Sequence, residues 1–199
     1  MRGALMRRRT FVAAAAALLL AHPAAAPAQS SDEIAGQEAR RFLADLIATG
    51  AGRDAAAMEA FLRDRVDMGY AFDAAFEPVA GIVTQGQRQR LTELMMRFMS
   101  REALMVADMA RGGEFRLTGT RRGEDGIQVE GVFHDAAGDY PFFVLMGEGA
   151  MGARPPILDL GSPLASSVVA KLRYATTSLA LVTTDADLWI EAFEKAVGG

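Results

Sequence analysis

The sequence predicts an α+β fold, a curved antiparallel sheet of about four strands wrapped by N-terminal and C-terminal helices. Three observations predict it. Apolar residues recur at helical spacing from Ser31 to Arg111, they alternate from Phe115 to Leu160, and they return to helical spacing from Leu164 to Val197. Glycine-rich punctuation falls at the junctions, and no internal repeat or long linker divides the chain.

Taken in order, Ser30-Ser31-Asp32-Glu33 offers an N-cap and an early glutamate. The helix it opens carries Phe42, Leu43, Leu46 and Ile47 on one side and ends at Gly50 and Gly52. A second helix is expected over about Arg53 to Asp64 and a third over Val66 to Phe76, broken by Pro78 and Gly81. The longest spans Gln85 to Arg111, with Leu91, Leu94, Met95, Phe98, Met99, Met105 and Met109 near a 3.6-residue period, and Gly112-Gly113 stops it.

Phe115 to Arg121 and Ile127 to Phe133 then alternate, with Gly123-Glu124-Asp125-Gly126 as the turn between them. Ala136-Ala137-Gly138-Asp139 turns again. Tyr140 to Met146 is apolar at every position, so it needs cover on both faces, by protein or by ligand. A last strand falls near Arg154 to Leu160. Ser162-Pro163 has the form of an N-cap and first-turn proline for a helix striped by Leu164, Val168, Leu172, Ala175, Leu179 and Val182. Thr184 to Val197 closes the chain as a helix bearing Leu188, Trp189, Ala192 and Phe193.

Ahead of all this stands an export pattern. Arg2, Arg7, Arg8 and Arg9 precede an 11-residue apolar run, Phe11 to Ala21, and Ala26-Pro27-Ala28 fits a cleavage site. The run is short of the roughly 20 apolar residues of a membrane-spanning helix. Residues 1–28 are therefore expected to be a signal peptide cleaved near Ala28, and residues 29–199 the working domain, placed in the periplasm. Arg8-Arg9-Thr10-Phe11-Val12 also resembles the twin-arginine export motif, which leaves the export route open.

Cleavage removes four of the 21 basic residues and none of the 25 acidic ones, leaving a net charge of −8. Such a balance argues against a nucleic-acid partner and against tight docking on anionic lipid. The chain has no cysteine, so neither disulfide nor thiolate chemistry is available.

Catalytic and metal signatures are thin. His134 is the one histidine beyond the signal, which disfavours a closed zinc site or a triad. Gly147-Glu148-Gly149-Ala150-Met151-Gly152 spells G-x-G-x-x-G after a strand, but Pro155-Pro156 follows where the dinucleotide fingerprint needs a helix. It reads as a hairpin loop. Acidic pairs such as Glu124-Asp125 sit at turns and helix starts, where capping explains them. The chain is expected not to be an enzyme and to need no cofactor or metal. Its surplus of apolar residues, eleven methionines among them, suits the binding of an apolar ligand.

At this point the chain resembles the MlaC family of periplasmic phospholipid-binding proteins, once called toluene-tolerance proteins. Thr84-Gln85-Gly86-Gln87-Arg88-Gln89-Arg90-Leu91 looks like that family's T-x-x-Q-R-x-x-F helix start, with leucine where phenylalanine is usual. Val66-Asp67 with Tyr70-Ala71 resembles the Asp-led helix before it. Ile157-Leu158-Asp159-Leu160 resembles the I-x-D-V strand, and Ser166-Ser167-Val168 with Arg173-Tyr174 the following helix. The order of elements agrees over about residues 31–197. The resemblance implies a phospholipid carrier with an apolar cavity between sheet and helices. It also implies partners: an outer-membrane lipoprotein complex and an inner-membrane ABC transporter. The residues expected to line the cavity are Leu94, Met95, Phe98, Met99, Phe142, Val144, Met146, Leu172, Leu179 and Trp189, each equally compatible with plain core. Two other readings stay open. One is a nuclear-transport-factor-like α+β small-ligand binder or enzyme, which would want a carboxylate of raised pKa in its pocket. The other is a scaffold for an envelope complex.

Overall fold

The structure, a computed structural model, describes residues 30–148, 154–164 and 166–198. The signal peptide expected over residues 1–28 lies outside them, as does most of the glycine loop after Met146. From Asp32 onward the chain is one compact unit.

Six α-helices and a five-stranded sheet make up the described residues. Helix α1 (Ser31–Gly50) leads. Helix α2 (Ala55–Arg65) starts at Asp54, whose carboxylate accepts from the Ala56 and Ala57 amides. Helix α3 (Met68–Phe76) starts at Asp67, which caps Tyr70 N–H. Val66, expected in that helix, is extended instead and bridges Ile157. The Asp67 N–H donates to Ile157 O at 2.8 Å. Pro78 lies in a short 3-10 turn, Glu77–Val79. Helix α4 (Gln85–Met109) opens with a complete capping box. Thr84 accepts from Gln87 N–H, while the Gln87 side chain accepts from Thr84 N–H.

The strands are β1 (Glu114–Arg122), β2 (Ile127–Asp135), β3 (Gly138–Met146), β4 (Ile157–Ser162) and β5 (Ser166–Ser167). They pair antiparallel in the order of the chain, β1-β2-β3-β4-β5. Bulges interrupt β1 between Leu117 and Gly119 and β4 between Ile157 and Asp159, opposite Leu145/Met146 of β3, and a bulged strand bends.

The sheet of about four strands is completed by a fifth of two residues. One expectation needs correction here: Ser162-Pro163 does not open a helix. Ser162 pairs with Ser166 at the end of β4. Helix α5 (Val168–Ala180) begins five residues later, with Ser167 as its N-cap accepting from Ala170 N–H. Leu164 and Val182 therefore lie outside the helix whose stripe they were to join, and both are exposed. Gly161 makes the β4–β5 pairing feasible. A Cβ there would sit 2.5 Å from Ser167 Cα. Helix α6 (Ala186–Gly198) closes the fold; Asp185 caps it by accepting from the Asp187 and Leu188 amides.

The core lies between helices and one face of the sheet. Ile127 pairs with Met146 and Val129 with Val144, and all four are buried. On the other face Gln128 pairs with Leu145 and Glu130 with Phe143, all half-buried. Strand β3 is thus fully buried only at Val144 and Met146; on the same face Phe142 is half-buried and Tyr140 exposed. Helix α6 packs on α4 and α5. Trp189 stacks on Phe193 at 5.1 Å, Phe76 meets both rings edge-on, and all three side chains are fully buried. Burial of aromatic side chains is the largest apolar contribution per residue. Helices α1 and α2 are tied by Arg65, which reaches Glu38 at 2.5 Å and Asp45 at 3.0 Å. Both Arg65 and Glu38 are buried, and the guanidinium also lies 5.8 Å from the Phe42 ring.

Candidate functional site

At the opposite end of the sheet the helices do not close on it. The register places Phe115 beside Phe133 and Phe133 beside Tyr140, so one aromatic row crosses three strands. Phe142 joins the row, its ring 4.2 Å from that of Phe115. Facing these rings are Leu43, Leu46 and Ile47 of α1 and the C-terminal half of α4, with Met105, Val106, Met109 and the capping Ala110. Leu160 and Gly161 of β4, Leu164, and Val168 at the start of α5 complete the apolar wall. Together they enclose a cavity of about 280 Å³, near the lower end of the roughly 300–1,000 Å³ of small-molecule sites.

The cavity opens through a rim of large apolar side chains. Met105, Met109, Tyr140 and Leu164 all line it, and all four are solvent-exposed. Exposed apolar groups gathered at a cavity mouth mark a binding surface rather than ordinary surface scatter.

Polar side chains in the wall come from a few neighbouring segments. Ser162 and Ser166 face each other across β4–β5, Lys171 lies one turn into α5, and Glu102 lies on α4. Lys171 Nζ donates to Glu102 Oε2 at 2.5 Å, tying α5 to α4. The Glu102 side chain is only 14% exposed, that of Lys171 36%.

Of the residues expected from sequence, Phe142 lines this cavity. Met99 lines a smaller one beside it, about 20 Å³, which shares Leu46, Leu160 and Val168. Leu94, Met95, Phe98, Val144, Met146, Leu172 and Trp189 are buried in the core, and Leu179 packs half-buried against it. On α4 the expected residues run from Leu94 to Met99, ending one to two turns before the cavity-lining Met105, and on β3 Val144 and Met146 lie beyond Phe142, toward the core. The cavity uses the C-terminal half of α4 and the near end of β3. A sequence signal existed: Phe133 and Tyr140 flank the β2–β3 turn, where polar residues are usual, and Met105 and Met109 prolong the apolar stripe of α4 past its core contacts.

The half-buried carboxyl of Asp159 has a raised pKa. Burial pushes it up, partly offset by hydrogen bonds from the Ser167 hydroxyl and the Val169, Leu160 and Val168 amides. It borders the small pocket, which has room for about one water. Its acceptor capacity goes to the start of α5, so it joins β4 to that helix. His134 sits exposed at the β2–β3 turn against Asp139, at 2.5 Å. Among the described residues no group of three or more acidic or histidine side chains could hold a metal, and no helix is long and apolar enough to cross a membrane.

No family model matches the sequence, and no curated protein does. The fold is similar to a solved structure, a phospholipid-binding protein from Ralstonia solanacearum in complex with a phospholipid. The TM-score is 0.62 at 11% sequence identity, and the match covers 84% of this chain and 98% of that one. This is the α+β architecture expected from the sequence: helices packed on a curved, open antiparallel sheet.

Proposed function

We propose that this chain is a periplasmic carrier of phospholipid, the lipid-binding component of an intermembrane transport system served by an ABC transporter. The observation that carries the reading is the cavity, walled by apolar side chains and ringed by exposed ones. A fold shared with a protein solved with phospholipid supports it. So does the resemblance to the MlaC family, of which the chain is read as a distant member.

The physics of the cargo fits such a site. Each methylene removed from water gains about 0.8 kcal/mol, so an acyl chain crosses an aqueous space only inside an equivalent apolar lining. Carrying needs no bond made or broken, and the reading requires no catalytic group. The N-terminal export pattern supplies the compartment.

The test has two parts. The full chain, expressed with a C-terminal tag, is expected in the periplasmic fraction, shortened by cleavage near Ala28. Mixed with phospholipid vesicles and re-isolated, it is expected to carry extractable phospholipid. A chain that stays cytoplasmic and unprocessed, or that picks up no lipid, contradicts the proposal.

A further inference from the structure

We propose that the Glu102–Lys171 pair reads the headgroup of the bound lipid and selects a zwitterionic one, in which a phosphate is joined to an ammonium group. The inference rests on the reading of the cavity as a lipid site.

An ion pair is a costly thing to place in an apolar wall, since well-packed apolar residues of similar volume usually stabilise as well or better. Here the acid is the more buried partner, 14% exposed. Both residues line the cavity, and their mutual bond does not use up their bonding capacity. One of the three Nζ donors of Lys171 is taken by Glu102 Oε2. Its other donors suit a phosphate oxygen, and Oε1 of Glu102 suits an ammonium N–H. The two charges sum to zero, as do those of a zwitterion, so each end of the headgroup meets the opposite sign. A purely anionic headgroup satisfies Lys171 but sets a second negative charge beside a carboxylate with little access to water.

The neighbouring backbone adds two hydroxyls to the wall. Ser166 is held at φ +65°, a left-handed conformation that a side chain makes costly. It pairs with Ser162 across β4–β5, and both serines line the cavity. Their hydroxyls give neutral hydrogen-bonding partners alongside the charged pair.

The experiment uses the exported protein, stripped of lipid and incubated with vesicles of equal phosphatidylethanolamine and phosphatidylglycerol. The extracted lipid is then quantified by class. The wild type is expected to enrich the ethanolamine lipid roughly fivefold, the upper range for a partly exposed ion pair. Glu102→Gln is expected to bring the ratio near one. The double exchange Glu102→Lys with Lys171→Glu keeps a neutral pair and is expected to restore the enrichment. Thermal melts of each variant separate a structural tie from headgroup recognition, because a tie alone moves the melting temperature and leaves the ratio untouched. Loaded wild type without enrichment overturns the proposal, as does an unchanged ratio in Glu102→Gln. A folded double exchange that stays near one overturns it too. Wild type that loads no lipid at all overturns the underlying lipid reading instead.

Discussion

Filling the cavity from its own wall should separate stability from function. Val106 lines the cavity from the C-terminal half of α4 and is half-buried. Val106→Phe adds about four carbons, and at about 0.8 kcal/mol per buried methylene their full burial would stabilise by about 3 kcal/mol. The rim is open and the ring loses rotamer freedom, so roughly 1–2 kcal/mol should remain. In a domain of this size each kcal/mol moves Tm by about 2–4 °C, which gives a rise of roughly 3–6 °C for the lipid-free protein. The same ring occupies the space a ligand needs. Lipid recovered after vesicle incubation should fall by more than half. Differential scanning calorimetry reads the first effect and lipid extraction the second, and they should run in opposite directions. Lipid loading equal to wild type would refute the placement of the ligand. A lower Tm would mean the wall is already packed there.

Three further outcomes follow from other parts of the molecule. Arg65→Met strips a buried partner from Glu38, leaving it the exposed Arg41 at 3.0 Å among the described residues; unfolding in urea should show a loss of about 3 kcal/mol. Thr84→Ala removes the capping box of α4 and should cost about 1 kcal/mol with lipid uptake unchanged, read by the same denaturation. Asp159 titrates in the fold above its unfolded value, so the stability it contributes is complete below that value and is lost as pH rises through the folded one. Relative to Asp159→Asn, the wild type should therefore gain stability as pH falls from about 7 toward about 4.

The architecture was legible because its signals are local. Thr84 and Gln87 announce α4 with a motif that needs only four residues. The alternation of Ile127, Val129 and Gly131 against Gln128 and Glu130 fixes which face of β2 turns inward. The start of α5 was not legible, because two cap signals compete within six residues. Ser162-Pro163 is as good a local start as Ser167. The choice is made by Asp159, which lies far enough upstream that only the folded sheet brings it to the Val169 amide, at 3.2 Å. Val66 shows the same override, since the Ile157 backbone draws it out of a helix its neighbours would allow.

Of the residues expected to line a cavity, most lie in the core and Phe142 lies in the cavity wall. Periodicity says that Leu94, Met95, Met105 and Met109 share the apolar side of α4, but not where along it the partner stops. That is decided by the rings of Phe76, Trp189 and Phe193, which fill one end of the fold and leave the other to the cavity. The Glu102–Lys171 pair joins residues 69 apart in the chain. No spacing rule reaches across that separation.

Native mass spectrometry of the protein expressed as the full chain and isolated without detergent tests the central claim most directly. The account predicts a population heavier than the processed polypeptide by one phospholipid. Collisional activation should release that lipid, and Val106→Phe should abolish the heavier population. A single apo mass for the wild type, unchanged after exposure to vesicles, would contradict the account.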